Sequence, residues 1–217
     1  MKTRIHQQSL LASAGMAGSA LFVAVFLLEG WLRPGYNPME MFISALSLGP
    51  RGWIQVANFM VLGVLLALFT WGVAMEFRNG KASRGGVILL AILAFLFTIS
   101  GPFVMDPAGT PQSQASLHGT IHGLAGGIVF LLMPITIFVF LRRFRVDPSW
   151  QSLRGWTLIL GIIEAAAVLV FTITNKSPDL QTAVAGWNGL IQRTALIPFM
   201  VWLFIFALGL FKHNEPV

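Results

Sequence analysis

The sequence predicts an all-α polytopic membrane protein, a bundle of six transmembrane helices in a single integral membrane domain over residues 1–217. Hydrophobic residues make up 56% of the 217 residues and charged residues only 10%, and the mean hydropathy is +0.77. Several apolar runs also reach the roughly 20 residues that cross a hydrocarbon core about 30 Å thick. Runs of this length satisfy their backbone groups in lipid as helices, and they lack the alternation of barrel strands.

Six apolar runs are expected to span the membrane, at about residues 10–30, 53–75, 86–105, 119–141, 155–174 and 194–211. The first run follows Lys2 and Arg4, as the apolar part of a signal peptide would. It stays apolar through Leu28, however, and no convincing small-residue cleavage site follows. We therefore expect it to be retained as a helix.

A short element is expected between the first two spans. Residues 37–40 read Asn-Pro-Met-Glu, which combines an Asn N-cap, a Pro in the first turn and a Glu that closes a capping box. Because Met39 to Leu48 is too short to cross the membrane, we expect it to lie in the interface or to dip back over the bundle as a lid. The alternative is a simple connector.

Lysine and arginine residues predict that both termini are cytoplasmic. In that orientation four of the fourteen face outside, namely Arg33, Arg51, Lys176 and Arg193, which leaves ten inside. The basic residues lie at the ends of apolar runs and form no single patch, so we expect membrane lipids and no nucleic acid as partners. The absence of cysteine excludes disulfides and thiolate metal sites.

Three side chains that can bind metal or move protons lie where two helices should end at the outer face. Asp106 follows the third span, and His118 and His122 begin the fourth, four residues apart on one helical face. Two imidazoles and a carboxylate suit zinc or another divalent ion, with a coordination position left for a nucleophilic water. We take all three as candidate catalytic and metal-binding residues. The alternatives are a structural Asp-His network, or a proton relay or ligand-binding role.

Further polar residues favour a pocket around these three side chains. Gly119, Gly123 and Gly127 form a stripe beside the histidines that should let a neighbouring backbone approach closely. Polar residues in the outer third of the spans, or just beyond, are Glu29, Gln55, Asn58, Ser100, Asn188, Gln192 and Arg193. A belt confined to one side suggests a pocket that opens outward or laterally. The alternative for Glu29 and Arg193 is that they only form an ion pair with each other.

Glu164 lies near the middle of the fifth span, where a charge costs on the order of 3 kcal/mol or more. It should therefore be protonated, paired or facing water, and it is the residue that most favours transport. The alternative is a neutral glutamic acid that is hydrogen-bonded across helices to a group such as Thr136 or Thr98.

Motifs over most of the chain resemble the prokaryotic multi-pass membrane family catalogued as domain of unknown function nine-nine-eight. They are LRPGYNP at 32–38, SALSLGPRGW at 44–53 with Asn58-Phe59, GPFVMDP at 101–107, HGTIHG at 118–123 and GLIQR at 189–193. The resemblance implies a six-helix fold in the prokaryotic plasma (inner) membrane, without a known chemistry. It places these residues in the family's pattern: Arg33, Ser44, Asn58, Asp106, His118, His122 and Arg193. The expected pocket is thus Glu29, Arg33, Ser44, Asn58, Ser100, Gln192 and Arg193.

A weaker similarity, carried by Asp106 and the HxxxH pair of His118 and His122, is to membrane hydrolases of the alkaline ceramidase and adiponectin receptor type. The chain departs from that pattern, since it has six spans instead of seven and no third intramembrane histidine.

Three function classes therefore remain. The favoured one is a membrane-embedded hydrolase or transferase, metal-dependent in one version, that acts on a lipid-like substrate, because the polar groups cluster on one side. The others are a small-molecule or proton-coupled transporter that uses Glu164, and a structural or partner-binding membrane subunit.

Overall fold

The computed structural model describes residues 2–82 and 84–214. This part of the chain contains eight α-helices: α1 Lys2–Leu32, α2 Gly52–Glu76, α3 Gly85–Ile99, α4 Leu117–Val146, α5 Arg154–Lys176, α6 Pro178–Ala183, α7 Asn188–Thr194 and α8 Ile197–His213. Short 3₁₀ turns lie between them at Ile43–Ser47, Gln112–Gln114, Pro148–Leu153 and Ala185–Trp187. The predicted all-α class is confirmed.

In the part of the chain that the structure describes, five helical segments are long and apolar enough to cross a membrane: Gln7–Leu32, Gly52–Glu76, Leu117–Val146, Pro148–Lys176 and Ala185–His213. Helix α3 is apolar but has only 15 residues, which is about 22 Å of helix against a core of about 30 Å. The predicted third span, 86–105, is therefore helical only as far as Ile99. Pro102 has no backbone N–H with which to continue the helical ladder, and the Phe103 N–H reaches back to the Ile99 carbonyl at 3.2 Å.

Six helices form a ring in the order α1, α2, α3, α4, α5 and α8, with neighbours antiparallel. Glycines allow the closest approaches in the ring. A Cβ on Gly63 of α2 would come within 2.7 Å of the Ala94 carbonyl oxygen and of the Thr98 nitrogen of α3, so only hydrogen fits there. The resulting contact brings the α2 and α3 backbones together.

Aromatic side chains fill the end of the ring where α1 begins and α8 ends. The Phe140 and Phe206 rings lie 4.8 Å apart between centroids, and those of Phe77 and Trp150 lie 4.9 Å apart. Trp202 is fully buried beside them and donates its indole N–H to the Thr157 hydroxyl at 3.3 Å. The interior of this end of the bundle is thus filled by aromatic rings, whereas a loop segment fills the opposite end.

Residues 38–48, which we call the plug segment, enter that opposite end of the ring. Asn37 begins the segment as predicted, because its Oδ1 accepts a hydrogen bond from the Met39 N–H at 3.0 Å. The predicted lid helix is instead a single turn followed by the 3₁₀ turn Ile43–Ser47. Ile43 and Leu46 are almost fully buried, so the turn at residues 43–47 is part of the core at this end, while residues 38–40 remain exposed.

The last membrane-crossing segment is broken between α7 and α8. The Leu196 N–H donates to the Arg193 carbonyl, and the Met200 N–H donates to the Leu196 carbonyl. Pro198 lies in the first turn of α8. Because proline lacks an N–H, it cannot bond back to residue 194, and α8 begins as a new helix. The predicted sixth span, 194–211, therefore starts at a helix break inside the bundle.

Candidate functional site

A cavity of about 60 Å³ lies beneath the plug segment. Four elements supply its polar lining: Ser44 from the plug segment, Ser100 after α3, His122 from α4 and Gln192 from α7. The remaining wall is apolar and consists of Ile43, Phe59, Phe97, Gly126, Val129, Phe130 and Leu196. Such a volume holds a few water molecules or a small polar group. The structure thus brings together three predicted pocket residues and one predicted catalytic residue.

His122 is held in one orientation at the cavity wall. Its Nδ1 lies 2.8 Å from the Phe103 carbonyl oxygen, and its ring meets the Phe59 ring edge-on with centroids 6.0 Å apart. Because a carbonyl oxygen only accepts, Nδ1 carries the proton, and in the neutral ring Nε2 bears a lone pair. The Ser100 carbonyl also faces the imidazole. The non-helical stretch after Ile99 therefore has a consequence for chemistry, since it frees the carbonyl that sets the tautomer of His122.

Asp106 acts on the start of α4. Its Oδ2 accepts a hydrogen bond from the Ser116 N–H at 2.9 Å, and the Ser116 hydroxyl caps the helix by accepting from the Gly119 N–H at 2.9 Å. The carboxylate lies against Gly119 so closely that a Cβ there would overlap it. A negative charge at a helix N-terminus is favourable. Asp106 thus clamps the loop of residues 106–117 onto α4.

The predicted metal ligands are engaged separately. His118 is exposed and lies with its ring 5.3 Å from that of Phe103, while Asp106 bonds to Ser116 and His122 to Phe103. In residues 2–82 and 84–214 no three side chains of the His, Asp and Glu types are gathered where they could hold a metal ion. A divalent metal such as Zn at Asp106, His118 and His122 stays a prediction.

The glycine stripe of α4 does not pack as expected. Gly119 meets Asp106, but a Cβ at Gly123 or Gly127 would meet nothing within 4 Å in the described chain. The same holds for Gly126, which lines the cavity. This side of α4 is therefore a shallow open face beside the cavity.

Two predicted pocket residues hold the plug segment in place through its backbone. The Arg33 guanidinium donates to the Leu46 carbonyl at 2.6 Å and also to the Leu48 carbonyl. The Gln192 Oε1 accepts from the Ile43 N–H at 2.6 Å. Buried backbone carbonyls and amides are costly without hydrogen-bond partners, so these contacts stabilise the plug segment inside the ring of helices.

Arg193 and Tyr36 also hydrogen-bond to the plug segment. Arg193 donates to the Met41 carbonyl at 3.0 Å and to the Tyr36 hydroxyl at 2.5 Å, and the Tyr36 hydroxyl lies 3.0 Å from the Phe42 carbonyl. Burial raises the pKa of the Tyr36 phenol, and the nearby Arg193 charge and hydrogen bond only partly oppose this. The phenol is thus neutral at physiological pH, accepting from Arg193 and donating to the plug segment.

Glu29 pairs with Arg51. The two guanidinium nitrogens of Arg51 lie 2.9 and 2.6 Å from the Glu29 carboxylate, and this hydrogen bonding and charge raise the pKa of Arg51. The alternative in which Glu29 and Arg193 form an ion pair is therefore wrong. Arg51 directly precedes α2, close to the end of α1 that carries Glu29, so its guanidinium contacts the carboxylate.

Asn58 lies outside the cavity. Its amide donates to the Phe22 carbonyl at 3.1 Å and to the Gln55 side chain at 3.3 Å. This predicted pocket residue therefore joins α1 to α2.

Glu164 is fully buried, with 0% of its surface exposed, and neither carboxyl oxygen has a hydrogen-bond partner among the described residues. The backbone N–H of Phe199 in the first turn of α8 faces the carboxyl. The predicted bond to Thr136 or Thr98 is wrong, because those hydroxyls donate to the Leu132 and Ala94 carbonyls of their own helices. Glu164 therefore has no side-chain partner among the described residues and faces the start of α8.

Sequence reasoning missed Tyr36, Phe103 and the aromatic wall of the cavity. Tyr36 is the only tyrosine of the chain, and a lone phenol in the loop between two spans was an available signal. Phe103 acts through its backbone carbonyl oxygen, and the identity of a side chain does not reveal such a role.

The family described as "Protein of unknown function (DUF998)" matches residues 16–209. No curated protein and no solved structure matches the chain, so there is no match to the alkaline ceramidase and adiponectin receptor hydrolases.

Proposed function

The chain belongs to the DUF998 family of proteins of unknown function, and from the cavity at His122 we propose that it is a membrane-embedded hydrolase or transferase acting on a lipid-like substrate. The observation that carries the proposal is the orientation of His122, whose Nδ1 is held by the Phe103 carbonyl while the ring lines the cavity. The Nε2 of a neutral ring held in this way can serve as a general base.

The proposed step is acyl or phosphoryl transfer. Nε2 of His122 takes the proton of a water or hydroxyl as its oxygen bonds to the carbonyl carbon or phosphorus, and the imidazolium then returns that proton to the oxygen of the breaking ester bond. The hydroxyl and amide groups of Ser44, Ser100 and Gln192 orient the polar part of the substrate. The open face at Gly123 and Gly127 admits its apolar part from the lipid, because nothing in the described chain covers it.

We place this site at the outer face of the prokaryotic plasma (inner) membrane, with six spans and both termini in the cytoplasm. The support is the distribution of the fourteen Lys and Arg residues, of which ten fall on the other side. The form we propose uses no metal: His122 acts as the base, and Asp106 keeps its hydrogen bond to the Ser116 N–H.

The test uses purified protein in vesicles made from the polar lipids of the expression host, with the lipids followed by mass spectrometry. We expect one lipid class to be consumed and its cleavage or transfer product to accumulate. Because acid–base catalysis contributes roughly 10²–10⁴-fold, His122→Gln should lower the initial rate by about 100-fold or more. The matched control is His213→Gln at the opposite end of the bundle, where His213 pairs with Glu76.

Equal rates for the wild type and His122→Gln would contradict the proposal. No change in any lipid with the wild type would instead favour a structural or partner-binding subunit. A metal-dependent enzyme would show one equivalent of metal by elemental analysis and would lose its activity with EDTA.

A second candidate function is a proton-coupled transporter, and the isolation of Glu164 favours it. A buried carboxyl without a hydrogen-bond partner is costly as a structural element, and intramembrane acids of this kind often carry protons. In vesicles containing a pH-sensitive dye, Glu164→Gln should abolish proton flux, while Glu40→Gln, which alters an exposed carboxyl, should retain it. Flux that survives Glu164→Gln would exclude this function.

A further inference from the structure

We propose that Arg193 is the centre of a binding site for the anionic headgroup of a membrane phospholipid, in a lateral pocket between α1 and the plug segment. This site is separate from the His122 cavity and does not depend on the proposed enzymatic function. Its ligand chemistry is a phosphate in a headgroup of net negative charge, and the lipid is the source to which the pocket walls point.

Arg193 carries a buried charge without an anion beside it. It is 5% exposed, yet among the residues that the structure describes no carboxylate lies within ion-pair distance of it. Glu29, the acid of the polar belt, is already neutralised by Arg51. The guanidinium lies near the Phe26 and Tyr36 rings, 6.0 and 5.7 Å from their centroids, but these contacts supply no negative group, and burying a cation without an anion is costly.

One donor of this guanidinium is unused. Arg193 gives hydrogen bonds to the Met41 and Gly189 carbonyls and to the Tyr36 hydroxyl, all of them neutral acceptors. Its Nε is buried without a partner among the described residues. A guanidinium presents its donors as a planar fork that matches phosphate oxygens, and part of that fork remains free here.

A lateral space lies beside the Arg193 guanidinium. A pocket of about 360 Å³ is lined by Phe26, Leu27, Gly30, Trp31, Tyr36, Pro38 and Arg193. Gly30 keeps it open, because a Cβ there would come within 3.1 Å of the Tyr36 ring and 3.9 Å of the Arg193 guanidinium. The volume is far larger than a single anion needs.

The walls of the pocket identify a lipid as the occupant. Leu27 and Trp31 lie on the exposed side of α1, and Trp31 is 82% exposed at the end of a membrane-crossing helix. Tryptophan at such a position sits at headgroup depth. An acyl chain can therefore lie along Leu27 while its phosphate reaches Arg193, whereas a free anion would gain nothing from these apolar walls.

The experiment is thermal unfolding of the purified protein in detergent, titrated separately with phosphatidylglycerol, with phosphatidylcholine and with inorganic phosphate. We expect phosphatidylglycerol to raise the Tm by roughly 4 °C or more at saturation, with little effect from the other two. Trp31→Ala should lower the apparent affinity for phosphatidylglycerol by about tenfold, since it removes an apolar wall and leaves Arg193 intact. Trp53→Ala, which alters another exposed tryptophan at the same end, should leave it unchanged.

A direct test of the charge is Arg193→Lys, which keeps the cation and removes the fork. It should lower the affinity for phosphatidylglycerol while the protein still unfolds cooperatively, and Trp31→Ala serves if this variant does not fold. Equal Tm shifts from phosphatidylglycerol and phosphatidylcholine, or the same affinity in Trp31→Ala and Trp53→Ala, would overturn the proposal. A shift produced by inorganic phosphate alone would overturn the assignment to a lipid.

Discussion

At the scale of single residues, Asp106 and Gly119 are in close contact, and the position of each limits that of the other. The carboxylate bonds to the Ser116 N–H and lies where a side chain at position 119 would project. The loop of residues 106–117 thus reaches α4 only because residue 119 is glycine.

We therefore predict that Gly119→Ala destabilises the protein by about 1–3 kcal/mol, the usual cost of overpacking. The matched variant is Gly123→Ala on the same helix, where a methyl group meets nothing within 4 Å. It should be neutral or slightly stabilising, because alanine favours helix over glycine. Chemical denaturation in detergent measures both, and equal stabilities would refute the Asp106 clamp.

The second residue-scale prediction concerns Tyr36. Because burial raises its pKa, ionisation should begin above the usual value of about 10. The contribution of the neutral phenol to stability is fully present below that usual value and is lost as pH rises towards the folded-state pKa. Since the chain has only one tyrosine, absorbance at 295 nm follows this group alone. A titration midpoint in the folded protein at or below that of the denatured protein would contradict the prediction.

At the scale of elements, the plug segment depends on side chains from elsewhere more than on its own helix propensity. Its backbone is bonded by Arg33, Tyr36, Gln192 and Arg193. Asn37 predicts where the segment begins. Its insertion into the ring could not be predicted, because the four partners lie up to 152 residues away in the chain.

Removing one of these bonds should loosen the plug segment. Gln192→Leu leaves the buried Ile43 N–H without its acceptor, at a cost of about 1–3 kcal/mol, and hydrogen exchange of peptides covering residues 38–48 should become faster. Gln181→Leu, at an exposed position of α6, is the control. Unchanged exchange in Gln192→Leu would mean that the segment is held without this bond.

The contact between α2 and α3 offers another test at this scale. Gly63→Ala places a methyl group against the Ala94 carbonyl and the Thr98 backbone nitrogen, which cannot move without shifting α3. We expect a lower Tm than for Gly85→Ala, where the added methyl group meets nothing within 4 Å. Equal Tm values would show that the two helices can separate at little cost.

At the scale of the whole molecule, the two ends of the ring differ in character. One is filled by aromatic rings around Phe206, and the other contains the plug segment, the cavity and the pocket at Arg193. The proposed orientation places the second of these ends outside the cell.

A topology measurement follows directly, because the chain contains no cysteine. Single cysteines can be introduced directly into the wild-type chain. Ser113→Cys lies in the exposed loop before α4, and Asn79→Cys lies in the exposed turn after α2. In intact cells a membrane-impermeant maleimide should label Ser113→Cys, and it should label Asn79→Cys only after lysis. The opposite pattern would invert the orientation.

The all-α membrane class, the approximate helix positions and the end that carries polar groups could be derived from the sequence alone. These are local properties: the length of an apolar run, the proline or glycine after it, and the position of polar residues along it decide them. Ser100 and Gln192 were predicted as pocket residues for this reason and Ser44 from the family resemblance, and the structure places all three at one cavity.

Only the tertiary structure decided which of those groups meet. Glu29 lies with Arg51 instead of Arg193, Asp106 with Ser116 instead of His122, and Glu164 beside a helix break without a partner. Such pairings depend on the order of the helices around the ring and on the rotation of each about its axis. Both are set by packing, through close approaches such as that of Gly63 to Ala94 and through hydrogen bonds to backbone carbonyls, whose positions no side-chain pattern encodes.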